Sequence, residues 1–94
     1  MPMVLGFLVN SMISEIKEYN IKGRKLDAFQ YTREFYDKYF GTENQPTFLM
    51  MGPGGAIVFT PKGRLSAEID DWLVKFTDGM WYPCKKETFE ELIK

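Results

Sequence analysis

Cys84 is the residue of this sequence best suited to nucleophilic chemistry, and two ammonium groups, Lys85 and Lys86, follow it directly. Nearby cations lower the pKa of a thiol and favour the reactive thiolate. The chain contains no histidine, which excludes a Ser-His-Asp triad, a Cys-His pair and histidine metal ligands, because each requires an imidazole. We therefore predict no catalytic residue and no cofactor, and we interpret Cys84 as structural.

Four carboxylates, Glu68, Asp70, Asp71 and Asp78, lie close together in the sequence and could bind a hard cation. Calcium loops, however, space their oxygen ligands more regularly than this. An aspartate beside a strand also commonly bonds a neighbouring loop. We predict no metal site, and a structural role for Asp71.

A glycine-rich segment, Gly52-Pro53-Gly54-Gly55, could bring backbone amides close to a phosphate group. It lacks the Gly-Lys-Ser/Thr ending of a P-loop, and its default interpretation is a turn. Amides of Gly54 and Gly55 near Lys62 and Arg64 could nevertheless form an anion-binding nest. These four residues are the candidate site for a small phosphate-bearing ligand.

Surplus aromatic and apolar side chains suggest contact with another protein, since aromatic residues and arginine are favoured at interfaces. If Trp72 faces the core, the alternation of strand residues leaves Trp81 exposed or half-exposed. The apolar segment 3–10 either packs on the core or meets a second copy of the chain, which gives a possible homodimer through residues 3–19. The candidate partner-binding residues are Trp81, Met80, Arg64, Phe7 and Leu8.

The size of the chain, 94 residues with 45% hydrophobic side chains, suits one core and predicts a single domain, 1–94. A formal net charge of −1 gives no overall field to hold nucleic acid or an anionic membrane. The apolar run near the start has no basic segment before it and is too short to span a bilayer. We expect a cytoplasmic protein, with neither nucleic acid nor a membrane as its partner.

Hydrophobic periodicity predicts an α+β fold with a small twisted antiparallel sheet. Helices are predicted near 11–19, 33–40 and 87–94, the second capped by Thr32 and the third with a capping-box spacing from Thr88 to Glu91. Residues 1–23 form an N-terminal helical extension in this interpretation. Strands are predicted near 25–31, 47–51, 56–60, 71–76 and 80–83.

Two segments allow a second interpretation. Residues 24–40 fit one continuous helix as well as a strand followed by a helix. Residues 66–76 fit a helix capped by Ser66, but the Asp78-Gly79 turn between two apolar runs favours a β-hairpin with Gly79 at positive φ.

The C-terminal part of the chain resembles a family of small uncharacterised tailed-phage and prophage proteins, sometimes named for a PGDYG motif. The most specific shared string is Tyr-Pro-Cys-Lys at residues 82–85, and segment 25–32 resembles the first strand of that family. The resemblance covers residues 24–94. The matching positions are Asp71, Trp72, Gly79, Tyr82, Pro83, Cys84, Lys85, Phe89 and Glu90.

This resemblance implies a phage or prophage origin and a fold, without implying a reaction. It favours a strand at 25–31, and it places Trp72, Tyr82 and Phe89 in a core between sheet and helix. Ile69 and Asp70 stand where the family usually has Pro-Gly, so we expect the approach to strand 71–76 to differ.

Three functions fit these observations. The first is an accessory protein that binds and inhibits a host or anti-phage defence protein in the host cytoplasm. The second is a sequestering protein for a phosphate-bearing small ligand such as a signalling nucleotide. The third is a virion or assembly component.

Overall fold

A computed structural model describes residues 13–94, which form seven strands and two short helices. The α+β class predicted from the sequence is confirmed. The strands are β1 (Lys17–Ile21), β2 (Arg24–Gln30), β3 (Leu49–Gly52), β4 (Gly55–Thr60), β5 (Gly63–Glu68), β6 (Trp72–Lys75) and β7 (Trp81–Cys84), and the helices are α1 (Arg33–Tyr39) and α2 (Lys86–Leu92). Neither helix of this described part is long enough to cross a membrane.

The strands form two antiparallel sheets, whereas the sequence predicts a single sheet. One sheet has the order β1-β2-β6-β7 and the other the order β3-β4-β5. The division follows from the long-range pairing of β6 with β2, in which Ala28 faces Val74 and Phe29 faces Leu73. That pairing leaves the intervening strands to form a separate meander.

The predicted helix at 11–19, and with it the helical extension 1–23, is wrong for residues 13–19. Ile13 to Ile16 form a turn, and Lys17 begins strand β1, which pairs with β2 through a tight turn at Lys22 and Gly23. Both turn residues have positive φ, 53° and 82°, as a two-residue hairpin requires. The apolar residues here fit a helix locally, but Tyr19 and Ile21 of the strand pack in a cluster under Phe89, and Ile13 and Ile16 pack in a larger cluster. Residues 11 and 12 lie outside the described part.

Strand β5 is absent from the sequence prediction, and the alternative helix beginning at Ser66 is wrong. Residues 63–68 pair with β4 along its whole length, from Thr60–Gly63 to Gly55–Glu68. Five of the six β5 residues are exposed, so the strand lacks the apolar alternation by which strands are recognised in a sequence. The predicted hairpin of residues 71–83 is confirmed as β6 and β7.

Helix α1 follows its sequence signals. The Thr32 side chain accepts a hydrogen bond from Phe35 N at 3.0 Å, as an N-cap should. Helix α2 begins at Lys86, before the predicted capping box at Thr88, and its N-cap Lys85 makes no side-chain capping bond. Phe89 attaches this helix to the sheet.

The four-stranded sheet buries side chains on both faces. Phe29 and Leu73 belong to a larger cluster with α1 and the three-stranded sheet. Ala28 and Val74 belong to a smaller cluster under Phe89 of α2. Neighbouring residues of one strand, whose side chains point to opposite faces of the sheet, are therefore buried in two different clusters.

Asp70 adopts a left-handed conformation with φ of 77°. Its N–H donates to Tyr31 O at 2.7 Å, and its own carbonyl accepts from Gln30 Nε2 at 2.9 Å. Aspartate tolerates this conformation better than most residues. The approach to β6 therefore contains a positive φ at Asp70, although Ile69-Asp70 contains no glycine.

Candidate protein-binding surface

The turn between β6 and β7 presents two large apolar side chains to solvent. Phe76 is 44% exposed and Met80 is 45% exposed. Phe76 N donates to Met80 O at 3.0 Å across the turn, and Gly79 has φ of 82°. The positive φ predicted for Gly79 is confirmed, because this tight turn needs a residue without Cβ strain.

Asp78 fixes the shape of this turn with both carboxylate oxygens. Oδ1 accepts from Met80 N at 2.9 Å, and Oδ2 accepts from the Tyr82 hydroxyl at 2.8 Å. Phe76 packs edge-on against the Tyr82 ring at 5.3 Å. The exposed side chains are therefore carried by a braced turn.

Lys62 brings a positive charge to the same place from the β4–β5 turn. Together with Phe76, Thr77, Asp78 and Tyr82, it lines an open cavity of about 330 Å³. We call Lys62, Phe76, Asp78, Met80 and Tyr82 the hairpin-tip surface. Of the residues predicted to bind a partner or ligand, this surface includes Met80, on the β6–β7 turn, and Lys62, which lines the cavity beside Asp78.

The pKa values of the Asp78–Tyr82 pair move apart. The hydrogen bond from the Met80 N–H, followed by that from Tyr82, lowers the pKa of Asp78 below its ordinary value. The hydrogen bond to Asp78 raises the pKa of Tyr82. At neutral pH the carboxylate is charged and the phenol is neutral, so the bracing bond is present.

We expect this turn to loosen at both extremes of pH. Asp78 has a lowered pKa, so its contribution to stability is present above the ordinary carboxyl range and is lost as the pH falls through the folded-state pKa. Tyr82 has a raised pKa, so its contribution is present below its ordinary pKa and is lost as the pH rises through the folded-state pKa. Amide NMR of Met80 during a pH titration measures both transitions, and Asp78→Asn should abolish the acid one. An unchanged acid transition in that variant would contradict the assignment.

Trp81 is half-buried and contributes to the core. Its indole stacks on Phe48 at 4.8 Å with an interplanar angle of 6° and meets Phe29 edge-on at 5.3 Å. Trp72 stacks on Phe89 at 4.0 Å on the other side of the sheet. Alternation does separate the two indoles, as expected, but both faces of the sheet are covered.

Arg64 is exposed on β5, where its guanidinium lies 5.8 Å from the centroid of the Phe59 ring. Phe59 is its cross-strand partner. The remaining partner-binding candidates, Phe7 and Leu8, lie outside the residues that the structure describes, as does most of the segment 3–19 proposed for a homodimer.

The structure does not assemble the predicted anion nest. Gly55 pairs with Glu68 at one end of β4, whereas Lys62 and Arg64 lie near the Thr60–Gly63 pair at the other end. Along the strand, Gly55 lies about 14 Å from Phe59, the partner of Arg64, and about 17 Å from the Thr60–Gly63 pair beside Lys62. The glycine amides and the two cations therefore do not surround one phosphate group together.

A packing requirement explains the glycine at position 55. A Cβ on Gly55 would lie 2.7 Å from Ala67 O of the neighbouring strand. The same Cβ at Gly54 would meet nothing within 4 Å. The glycine-rich turn is therefore a site of close backbone approach.

Gly55→Ala is expected to lower the free energy of unfolding by about 1–3 kcal/mol, because the backbone of β5 must move to admit the methyl group. Gly54→Ala is the matched control and should change it by less than about 0.5 kcal/mol. Urea denaturation of the two variants measures both values. Equal stability of the two variants would contradict the close approach.

Asp71 is buried at the start of β6 and has a structural role. Its Oδ2 accepts from Glu68 N at 2.9 Å and lies 3.4 Å from Lys85 Nζ. Burial, followed by the charge of Asp71, raises the pKa of the Cys84 thiol. Lys85 and Lys86 could have lowered this pKa, but it is raised, and Lys85 is paired with the carboxylates of Glu68 and Asp71.

The roles of Phe76 and Tyr82 have no signal in the sequence, although the Asp78-Gly79 turn between them is recognisable. Within residues 13–94, no group of three or more acidic or cysteine side chains could hold a metal ion. What the geometry presents most clearly is the braced, partly apolar hairpin-tip surface. Comparisons of the chain with protein-family models, with curated proteins and with solved structures find no match.

Proposed function

We propose that this chain is a small phage-type accessory protein that acts by binding another protein in the host cytoplasm. The observation that carries the proposal is the hairpin-tip surface, where exposed Phe76 and Met80 stand on a turn braced by Asp78. A braced surface loses little conformational freedom when it binds, and this favours affinity.

The composition of this surface indicates the chemistry of its partner. Phenylalanine, tyrosine and methionine are enriched in the centres of protein interfaces. Lys62 lies at the border of the apolar patch, next to the Asp78 carboxylate. We infer a partner surface with an apolar side chain at its centre and an acidic group facing Lys62.

Inhibition of a host or anti-phage defence protein is the form of binding that we favour. Support comes from the resemblance of residues 24–94 to small tailed-phage proteins and from the small size of the chain. A compact binder can block a partner by covering the partner's working surface.

Met80→Asp is expected to weaken binding of the partner at least about tenfold, which corresponds to about 1.4 kcal/mol, because it places a charge in the apolar centre of the interface. Met50→Asp is the matched control, since Met50 is similarly exposed on the other sheet. The measurement is affinity capture of one stoichiometric protein from infected-host lysate, followed by titration of that purified protein.

Equal capture by both variants would show that the binding surface does not include the hairpin tip. Repeated failure of the unmodified chain to capture any stoichiometric protein would overturn the proposal. Recovery of the chain from purified virions would favour the alternative of an assembly component.

Sequestration of a phosphate-bearing ligand is a weaker candidate. One observation favours it, the cavity in which Lys62 lies beside the Phe76 and Tyr82 rings. The Asp78 carboxylate in the same cavity opposes an anion. Thermal denaturation with added nucleotides tests it, because a ligand at about 100 times its Kd adds about 2.7 kcal/mol of stability.

A further inference from the structure

Strand β5 forms one border of the three-stranded sheet, and in the described part of the chain it pairs on one side only, with β4. Five of its six residues are exposed. Among them is Leu65, a large apolar side chain that is 37% exposed. An open edge strand offers N–H and C=O groups that can pair with a further extended chain.

The backbone hydrogen bonds of Glu68 show which backbone groups of β5 point away from β4. Its N–H donates to Asp71 Oδ2 at 2.9 Å, and its carbonyl accepts from Asp71 N at 3.0 Å. Glu68 therefore points away from β4, and because the direction repeats every second residue, so do Ser66 and Arg64. Over residues 13–94, the outward backbone groups of Ser66 and Arg64 make no backbone hydrogen bond.

We propose that β5 pairs antiparallel with β5 of a second copy of this chain, around a twofold axis at Leu65. In this register Arg64 of each copy faces Ser66 of the other, and the two pairs form four intermolecular backbone hydrogen bonds. Leu65 of one copy packs against Leu65 of the other. A register centred on Ser66 would need the outward groups of Glu68, which Asp71 already occupies.

Charge complementarity favours a second copy over an unrelated strand. In this register the turn residue Lys62 of each copy comes near the end of β5 of the other copy. The side chains of Lys62 and Glu68 can then form an opposite-charge pair at each end of the interface, with no backbone bond to Glu68. Both side chains are exposed. Within one copy Glu68 lies 3.7 Å from Lys85 Nζ and Lys62 lines the cavity beside Asp78, so the intermolecular pair competes with these contacts. One strand edge buries little area, so the dimer is weak and depends on concentration.

A disulfide tests both the dimer and its register. Leu65→Cys, in a Cys84→Ser background, should give a covalent dimer under mild oxidation. The Cα atoms of a non-hydrogen-bonded antiparallel pair lie about 4.5 Å apart, within the range that a disulfide spans. Ser66→Cys in the same background is the matched control and should crosslink at least about tenfold less, because Ser66 faces Arg64 rather than itself.

Sedimentation equilibrium tests the unmodified chain. Lys62→Glu should weaken association, and the double variant Lys62→Glu with Glu68→Lys should restore it, whereas Met80→Asp should leave it unchanged. A monomer up to millimolar concentration, or equal crosslinking of the two cysteine variants, would overturn the proposal. Slow amide exchange at Ser66 in a strict monomer would also overturn it, because another segment of the same chain would then cover the edge.

Discussion

Phe89→Ala is expected to lower the free energy of unfolding by about 3–5 kcal/mol. The Phe89 ring is fully buried, stacks on Trp72 at 4.0 Å and meets Tyr19 edge-on at 5.4 Å. Helix α2 has seven residues, too few to be stable without packing. Removing its anchor therefore costs both the buried ring and the docking of the helix. Urea denaturation followed by circular dichroism measures the loss.

Met50→Ala serves as the control for this prediction, because Met50 is 55% exposed. It should change the free energy of unfolding by less than about 0.5 kcal/mol. A small domain has a total stability of about 5–15 kcal/mol, so Phe89→Ala could leave a large unfolded fraction. A loss below about 1 kcal/mol in Phe89→Ala would show that α2 is not anchored by this ring.

Tyr31→Phe is expected to cost about 1–3 kcal/mol, because it removes a hydroxyl that satisfies buried backbone groups. The hydroxyl lies 2.6 Å from Gly52 O and 3.1 Å from Gly55 O, and it accepts from Gly52 N at 3.2 Å. It thereby ties the β3–β4 turn to residue 31, directly after β2. Burial raises the pKa of Tyr31, so the hydroxyl keeps its proton at neutral pH.

Amide exchange separates the local effect of Tyr31→Phe from the global one. The Gly52 amide should lose more protection than the amides of β2, since its acceptor is removed. Tyr36→Phe is the matched control, because the Tyr36 hydroxyl makes no hydrogen bond within residues 13–94. If both variants had the same stability, the role assigned to the Tyr31 hydroxyl would be wrong.

Local signals predict those elements whose stabilising contacts are close in sequence. Thr32 caps α1 three residues before the amide it binds, and Gly79 closes a turn between adjacent strands. The helix predicted at 11–19 is wrong for residues 13–19, because the apolar residues of this segment fit both a helical and a strand period. In strand β1, Tyr19 pairs with Leu26, and the Tyr19 ring packs against Trp72 and Phe89. These contacts outweigh helix propensity.

The candidate site is predictable in part for the same reason. Met80 is next to a recognisable turn, so its exposure follows from local geometry. Phe76 and Tyr82 belong to the same surface, but nothing in their spacing distinguishes them from core aromatics. In the sequence, Gly55 resembles part of an anion-binding site. Its actual constraint, that an added Cβ would lie too close to Ala67 O, arises only when β4 pairs with β5 and is therefore not visible in the sequence.

The absence of histidine, the single cysteine and the near-neutral charge come from the sequence alone, and no fold could change them. The absence of histidine excludes imidazole chemistry whatever the topology of the chain. Only the tertiary structure separated the glycine turn from the cations and placed Lys62 beside Phe76 and Tyr82. It also left the edge of β5 open among the described residues. Residue types determine which chemistry is available, whereas long-range strand pairing decides which side chains share a surface.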